Sequence, residues 1–429
     1  MKVVLTCFAA PTHFYSMVPL AWALRGAGHE VRIVSQPAMA ATITGAGLTA
    51  VTAGAAEWYG DRYAPDLLDA VFPGSLDHVR DFDYADTETW THAGLLALEH
   101  MASAAMWATM NDDLMVDDMV AFARDWRPDL IISETYTFAG SIAARVTGAA
   151  YARFNWGPDV ALRARQAMLR MSARLPERHR EDPTAQWLSH TLSRHGATFD
   201  ESVVTGQFTV DITPPDMRLD TGLHYESLRY IPYNGPAVVP DWLSAPAERP
   251  RVCMTLGLTD RSHGQQVQYL DAVLGELGAG ELFDAVAGLD CEVIATLDPE
   301  RVAIAVPDNV RLVGFVPLDA LLPSCAAVVH HGGSGTRSTA EVHGVPQLMV
   351  AEGWDVVRGN GIEAAGAGLC VPVEKLTGQV LRDGLRALLE DPSFAEGARR
   401  LRTQIHTLPT PVALVPRLEA LVDAYREAR

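Results

Sequence analysis

The sequence predicts an α/β protein of two domains, each built around a parallel β-sheet that helices cover on both faces. With 429 residues, the chain is too long for one ordinary core. Apolar residues make up 48% of it and charged residues 20%, which is enough hydrophobic material for two cores. Short β-branched runs alternate with longer helical patterns along most of the chain, and this alternation is typical of parallel sheets.

The N-terminal half opens with a strand, a helix and a second strand. Residues 2–8 predict a buried strand, residues 19–27 a helix that ends at Gly28, and residues 31–35 the next strand. This unit implies a parallel sheet with the loop after the first strand at its carboxyl edge. Further strands are predicted at residues 48–52, 129–133, 149–155, 208–213 and 228–233.

Residues 57–127 depart from this alternation and predict a helical insertion, with helix-like stretches at 95–110 and 112–123. A stretch rich in Pro and Gly, residues 214–250, indicates the end of one domain and a linker. A second series of strands follows, and its continuous apolar runs suit a sheet that is covered on both faces. These strands are predicted at residues 251–257, 291–297, 310–316, 326–330, 347–351 and 369–373.

We therefore predict two Rossmann-like domains that face each other across a cleft, where chemistry is expected. The first domain is predicted to span residues 1–235 and the second residues 236–405. A last helix, residues 406–429, is predicted to pack back on the first domain.

Charge and cysteine content exclude several function classes. The formal net charge is -19, from 34 basic and 53 acidic side chains, and such a surface repels nucleic acids and anionic lipids. Five widely spaced cysteines suit reduced thiols in a cytoplasmic protein and provide neither a disulfide framework nor a metal site. Pro11 and His13 interrupt the N-terminal apolar run, which is too short for a signal peptide.

The most specific motif is a glycine-rich turn within residues 326–341, AAVVHHGGSGTRSTAE. An apolar strand runs directly into two histidines and three glycines, and a helical pattern begins at once. Glycines allow the backbone to approach a ligand closely, and amides at a helix N-terminus point toward anions, so the turn suits a diphosphate. A tight turn without a ligand is the alternative. An NAD site also stays open, because Asp355 lies about twenty positions on, although Ser338 replaces the third glycine of that fingerprint.

Several segments together resemble one family. The HHGGSGT turn, the later EGWD at residues 352–355 and the opening TCFAAPTHFYSMVPLAWALRGAGHEVRIVSQP resemble GT-B natural-product glycosyltransferases of polyketide antibiotic pathways. The resemblance is strongest to the activator-dependent deoxysugar transferases of macrolide and anthracycline pathways. It covers essentially the whole chain, including MNDDLMVDDMVAFARDWRPDL, EDPTAQWLSHTL, GQFTVDITPP and YNGPAVVPDWL.

The resemblance implies an inverting transfer of a deoxysugar from a TDP-sugar to a hydroxyl of a polyketide aglycone, without a metal or cofactor. His13 matches the general base, and a histidine beyond the carboxyl end of a strand suits that role. Asp129 and Glu134 are both possible partners of His13. Two alternatives stay open: a non-catalytic protein that binds a sugar nucleotide or serves as a scaffold, and a sugar-nucleotide epimerase.

Donor contacts follow from the same resemblance. Trp354 and Asp355 match contacts to the donor sugar, and Phe315 and Val316 match the nucleobase site. For Asp355 the alternative is a helix cap, and for Phe315 and Val316 it is a packed strand end. The pyrophosphate is expected on His331, Gly333, Ser334, Gly335, Thr336, Thr255 and Gly257.

Four aromatic residues are candidates for an apolar acceptor pocket, and core packing is the alternative for each: Phe14, Tyr15, Trp90 and Trp156. Arg358 and Asn360 depart from the expected pattern of less polar residues after the EGWD segment. The resemblance also implies an activator protein like a cytochrome P450, with residues 57–127 as its docking surface. The alternative is that these helices cover the acceptor pocket.

Overall fold

The computed structural model describes residues 1–56, 82–255, 278–297, 299–300 and 304–427. The chain divides into two compact units. The first comprises Met1–Leu228 and Pro409–Arg429, and the second comprises Arg229–Leu408. The boundaries expected from the sequence, after residues 235 and 405, differ from these by a few residues.

The first unit contains a sheet of seven strands in the order β3-β2-β1-β4-β5-β6-β7, and every neighbouring pair is parallel. Beginning at β1, the chain adds β2 and β3 toward one edge of the sheet and then β4 to β7 toward the other. In such sheets the carboxyl ends of the two central strands flank the usual place for a ligand. The strands are β1 (Lys2–Thr6), β2 (Glu30–Ser35), β3 (Ala50–Thr52), β4 (Leu130–Glu134), β5 (Ala150–Asn155), β6 (Phe208–Asp211) and β7 (Tyr225–Ser227).

Helices connect these strands, and a π-helical segment, Ala102–Trp107, interrupts the predicted helix at residues 95–110. The last helix of the chain packs against α2 within the same unit, and Arg417 on it pairs with Glu226 at 2.9 Å. The α-helices described in this unit are α1 (Pro11–Tyr15), α2 (Val18–Gly26), α3 (Ala40–Gly45), α4 (His92–Met101), α5 (Ala108–Met110), α6 (Asp113–Trp126), α7 (Phe138–Thr147), α8 (Val160–Ser172), α9 (Pro183–Arg194), α10 (Ser202–Thr205) and, at the end of the chain, α17 (Pro411–Glu427).

The second unit contains a sheet of six strands in the order β10-β9-β8-β11-β12-β13, again parallel throughout. On β11, Ala327 and Val329 pack into one core, while Val328 between them packs into another. Both faces of the sheet are therefore covered, as the continuous apolar runs predict. The strands are β8 (Arg251–Thr255), β9 (Glu292–Ala295), β10 (Val310–Leu312), β11 (Cys325–His330), β12 (Gln347–Ala351) and β13 (Gly368–Pro372).

The described α-helices of the second unit are α11 (Ala279–Val286), α12 (Leu318–Leu321), α13 (Ser334–His343), α14 (Asp355–Ala364), α15 (Gly378–Glu390) and α16 (Pro392–Thr407). Among the helices of the described ranges, none is both long and apolar enough to cross a membrane. All five cysteines are free thiols, and three of them are buried.

Two strand predictions need correction. The strand predicted at residues 228–233 is wrong, because the edge strand β7 is Tyr225–Ser227, just before it. Leu228 and Tyr230 are only 2% and 4% exposed. The apolar pattern therefore reflects the burial of these side chains, although the segment does not pair in the sheet. The strand predicted at residues 310–316 ends at Leu312. Residues 256 and 257 of the first predicted strand of the second domain lie outside the described residues.

Candidate active site

Three neighbouring strands at the centre of the first sheet bring one group of side chains together. β1 pairs with β4, and β4 pairs with β5, all in parallel. His13 lies on α1 shortly after β1, Glu134 is the last residue of β4, and Trp156 follows β5. Because parallel strands end at the same edge of a sheet, residues far apart in the sequence meet there.

His13 and Glu134 form a hydrogen-bonded pair. The distance from His13 Nδ1 to Glu134 Oε1 is 3.0 Å, and the Glu134 side chain is completely buried. Burial by itself raises the pKa of this carboxyl group. The charge and hydrogen bond of His13, with hydrogen bonds from Trp156 and Thr137, outweigh it and bring the pKa below its ordinary value. Glu134 is therefore ionised at neutral pH.

The ionised carboxylate decides which nitrogen of His13 holds the proton. Nδ1 donates its hydrogen to Glu134, so Nε2 is left as the proton acceptor of the neutral ring. The His13 side chain keeps 19% of its surface exposed. A histidine fixed in this tautomer by a buried carboxylate can serve as a general base. Asp129, the other partner considered from the sequence, lies just before β4 and accepts from the Lys2 backbone amide at 2.6 Å.

Aromatic rings surround this pair in a ring cluster of Phe8, Trp107, Tyr136 and Trp156. The His13 ring centroid lies 4.7 Å from that of Phe8, 4.9 Å from that of Trp156 and 6.0 Å from that of Tyr136. The rings of Trp107 and Tyr136 are 4.9 Å apart. Of these four rings, only Trp156 is among the acceptor residues predicted from the sequence. Phe8 and Tyr136 each follow a central strand within two residues, and that position could have identified them.

The four predicted acceptor residues have different surroundings. Trp156 belongs to the ring cluster, and Tyr15 is partly exposed on the same short helix as His13. Phe14 is 0% exposed, so its side chain is part of the core and presents no surface to a ligand. Trp90 belongs to another group of side chains. It packs on Phe82, and its indole donates to the backbone oxygen of Asp83 at 2.7 Å. The structure therefore does not support acceptor contacts for Phe14 and Trp90.

In the second unit, the glycine turn (residues 330–336) follows β11, one of the two central strands. Gly332 has a φ of +92°, which disfavours any side chain, and a Cβ there would lie 2.2 Å from Met349 Cε. Gly333 is the N-cap of α13, and no side chain caps this turn with a hydrogen bond. The amides at the start of α13, on Ser334, Gly335 and Thr336, can therefore donate hydrogen bonds to an anion.

Both histidines of the glycine turn are neutral at physiological pH. His330 Nδ1 accepts from the Gly332 amide at 3.0 Å, and its Nε2 donates to Gln347 at 2.9 Å. Burial, followed by the proximity of His331, lowers the pKa of His330 to about 3. Burial, followed by the charge of Arg358, lowers the pKa of His331 to about 4. His331 can thus donate a hydrogen bond to an oxygen anion without carrying a charge.

The loop after β12 lies beside this turn. Asp355 begins α14 and pairs with Arg358 one turn later. Its Cβ is 3.5 Å from the place that a Cβ on Gly332 would occupy. Burial raises the pKa of the Asp355 carboxyl, and Arg358 and Arg337 oppose this effect. Trp354 is the N-cap of α14 without a side-chain cap bond, so the structure gives no support to Asp355 as a helix cap.

The remaining predicted donor residues are placed as follows. Thr255 ends β8 opposite His330 in the sheet register and accepts from Thr296 Oγ1 at 2.8 Å. Phe315 is 41% exposed, whereas Val316 is 3% exposed and packs in a core of the second unit. A nucleobase contact by the Val316 side chain is therefore not supported. Gly257 lies outside the described residues. Within the described ranges, no group of three or more His, Cys, Asp or Glu side chains is arranged to hold a metal ion.

Comparison with solved structures identifies the architecture. The structure of glycosyltransferase VinC in complex with dTDP superimposes with a TM-score of 0.85 and 38% sequence identity, over 99% of this chain and 100% of that one.

Curated proteins agree with this comparison. The 10-deoxymethynolide desosaminyltransferase of Streptomyces venezuelae is 48% identical and covers 99% of this chain and 98% of its own length. The aklavinone 7-beta-L-rhodosaminyltransferase of Streptomyces galilaeus is also 48% identical, over 99% of this chain and 97% of its own length.

The two parallel sheets, the glycine turn and these similarities define a glycosyltransferase of the GT-B fold. Two family models then specify the group. The N-terminal domain described as Erythromycin biosynthesis protein CIII-like matches residues 22–257, and the C-terminal domain of the same description matches residues 280–421. The chain belongs to the Erythromycin biosynthesis protein CIII-like family.

Proposed function

We propose that this enzyme transfers a deoxysugar from a TDP-sugar to a hydroxyl group of a polyketide aglycone in antibiotic biosynthesis, with inversion at the anomeric carbon. The substrate class rests on the relatives, whose names describe transfer of desosamine and rhodosamine, and on a similar structure that was solved with dTDP. The single observation that carries the catalytic role is the pair of His13 and ionised Glu134. A scaffold or a simple binding protein has no use for an oriented base.

In the proposed reaction, His13 Nε2 takes the proton from the acceptor hydroxyl while the oxygen attacks the anomeric carbon. The C–O bond to the diphosphate breaks, and the leaving TDP takes the bonding electrons. Glu134 stabilises the imidazolium that forms, because it is already ionised and hydrogen-bonded to Nδ1. Tyr15 and Trp156 are the proposed acceptor contacts.

The leaving diphosphate is proposed to bind at the glycine turn. The amides of Ser334, Gly335 and Thr336 and the N–H of neutral His331 donate to its oxygens. Thr255 is proposed to approach the same phosphates, and Gly257 keeps the role that the resemblance implies. Since these groups come from the chain, the proposed mechanism uses no metal ion and no cofactor.

The donor sugar is proposed to contact Trp354 and Asp355, and Phe315 is the proposed nucleobase contact. Arg358 forms an ion pair with the Asp355 carboxylate. This pair therefore determines how many lone pairs of Asp355 remain to accept hydrogen bonds from the sugar hydroxyls. That arrangement gives Arg358 an indirect influence on donor selectivity.

The direct test incubates the protein with TDP- and UDP-deoxysugars and a panel of macrolactone and anthracyclinone aglycones, with product detection by mass spectrometry. We expect glycosylated product with TDP donors. His13→Ala should lose at least about a hundredfold in turnover while TDP still raises the melting temperature as in the parent chain. Turnover retained in His13→Ala would remove the base assignment, and preference for UDP donors would remove the donor assignment.

An activator protein is a further part of this proposal and rests on the resemblance alone. One observation favours a different role for the predicted helical insertion. Trp107 comes from that segment and contributes to the ring cluster near His13, so the segment helps to surround the proposed acceptor site. Assays of the purified chain with and without a co-expressed P450-like helper test the need for a partner. Equal turnover in both would remove the activator from the proposal.

A further inference from the structure

Trp156 makes a contact that neither core packing nor acceptor binding requires. Its indole Nε1 donates to Glu134 Oε1 at 3.0 Å. This is the same oxygen that His13 Nδ1 contacts, also at 3.0 Å. The other carboxylate oxygen, Oε2, accepts from Thr137 Oγ1 at 3.0 Å. The hydroxyl of Thr135 donates to Oε1 as well, at a longer 3.4 Å. A fully buried carboxylate thus has four donors within hydrogen-bond distance, and three of them share one oxygen.

The backbone holds Trp156 in this place. Glu134 on β4 pairs in register with Phe154 on β5, and Trp156 follows two residues later. The indole is only 8% exposed, and its plane stands at 80° to the imidazole of His13, with the centroids 4.9 Å apart. An edge-to-face contact of this kind restricts rotation of the imidazole. The indole therefore contacts both members of the pair.

We propose that Trp156 is a positioning residue for the general base: its indole N–H holds Glu134 Oε1, and its ring holds the imidazole, so that His13 keeps Nε2 available for the acceptor hydroxyl. The inference rests on the proposed role of His13 as the base and adds a residue that acts through it. Trp156 then limits how strongly Glu134 attracts a protonated His13, because the indole N–H satisfies part of the charge on the shared oxygen.

Other titratable groups that face Glu134 do not replace this donor. Burial raises the pKa of the Cys7 thiol far above its ordinary range and that of Tyr151 to about 12. Both groups stay neutral at physiological pH. The charge on Glu134 is therefore offset mainly by His13, Trp156 and Thr137, with a longer hydrogen bond from Thr135, and loss of the indole donor changes the pair directly.

The test replaces Trp156 in two ways. Trp156→Phe removes the N–H and keeps an aromatic ring, while benzothienylalanine at position 156 keeps the bicyclic shape and replaces the N–H with sulfur. The matched control is Trp107→Phe, which trims another ring of the cluster. Trp107 packs on Tyr136 at 4.9 Å, one ring further from His13. The readouts are kcat, the acceptor KM and the pH profile of kcat for the full chain.

Both Trp156 variants are expected to lower kcat about tenfold and to move the acid limb of the profile upward by about half a pH unit. The Trp107 control is expected to leave that limb in place. An unmoved acid limb with a raised acceptor KM would overturn the inference in favour of an acceptor contact. Equal loss of kcat in all three variants, again without a moved limb, would overturn it in favour of packing. If His13→Ala is inactive, either result rejects the role of Trp156 and leaves the proposed function intact.

Discussion

The two units place a histidine in the same topological position but give it opposite surroundings. His13 and His331 both follow a central strand of a parallel sheet. His13 contacts a buried, ionised carboxylate. For His331, in contrast, the charge that acts on its pKa is the positive guanidinium of Arg358. A carboxylate favours the protonated imidazole, and a cation opposes it. The neighbouring charge therefore decides whether an imidazole is suited to take a proton or to donate a hydrogen bond.

The largest expected effect comes from removing the charge next to His13. Glu134→Gln keeps the size of the side chain and a hydrogen-bond acceptor but cannot stabilise the imidazolium. We expect kcat to fall by a factor of about a thousand, within the range that a general base contributes. TDP binding, measured by calorimetry, should change less than about twofold, since the substitution leaves every group proposed to bind TDP in place.

Asp129→Asn is the matched control, because it removes a carboxylate at the opposite end of the same strand. Asp129 contacts the Lys2 amide and Arg426, so the substitution is expected to lower stability and leave kcat unchanged. Similar losses of kcat in both variants would mean that the effect comes from the fold of the first unit. The assignment of Glu134 as the partner of His13 would then fail.

The neutral histidines of the glycine turn predict a pH dependence of stability. The pKa of His330 is lowered by burial from 6.5 to about 3, so between these values the unfolded chain binds more protons than the native one. This contribution is fully present above pH 6.5 and is lost as the pH falls. Between pH 6.5 and 4 the loss is on the order of 3 kcal/mol of unfolding free energy.

His330→Gln removes the titrating group and isolates this contribution. At neutral pH the variant is expected to be less stable than the parent, because the Gly332 amide loses its acceptor. Calorimetric melting temperatures at a series of pH values should then converge as the pH falls toward 4. A constant difference between the two proteins across this range would show that His330 is not buried in its neutral form.

A smaller effect is expected from removing the cation beside His331. Arg358→Gln breaks the ion pair with Asp355 and leaves that carboxylate without its guanidinium. It also removes the charge that helps to lower the pKa of His331. We expect TDP affinity to fall about tenfold and the melting temperature to drop, while the acid limb of the kcat profile stays in place.

Arg386→Gln is the matched control for Arg358→Gln. Arg386 also pairs with an aspartate three residues away on a helix, at 3.6 Å from Asp383, but both of its partners are exposed. An exposed pair contributes little, so this variant should behave as the parent in binding and melting. If the two arginine variants bind TDP equally well, Arg358 has no part in the donor site.

The sequence allowed both sheets to be predicted, because strands covered on two faces have continuous apolar runs that few other structures share. The strand predicted at residues 228–233 was wrong for a related reason. Leu228 and Tyr230 are apolar and buried, but burial alone does not show that a segment pairs with a strand. Short edge strands such as Tyr225–Ser227 pair on one side only, and their sequence pattern is correspondingly weak.

The sequence located candidate residues by their position after a strand, but it left the partner of His13 open between Asp129 and Glu134 because that choice depends on strand pairing. The location of His13 after β1 and the glycine turn after β11 followed from local patterns. The partner of His13 lies 121 positions away and meets it only because β1 pairs with β4. Strand direction could have decided between the candidates, since Asp129 precedes β4 and Glu134 ends it at the edge where His13 lies.

The smallest expected effect concerns the backbone that holds His331. Gly332→Ala places a Cβ at a φ of +92° and 2.2 Å from Met349 Cε, so both the backbone and a side chain must adjust.

Gly288→Ala in the same unit is the matched control, with a φ of +74° and open space around the new Cβ. The control should cost about 1 kcal/mol of unfolding free energy, from the left-handed backbone alone. Gly332→Ala should cost about 1 kcal/mol more and weaken TDP binding, because the amides of the turn shift with it. Equal costs would mean that Met349 moves aside freely. The glycine would then be required for its conformation alone and not for the close approach of β12 to the turn.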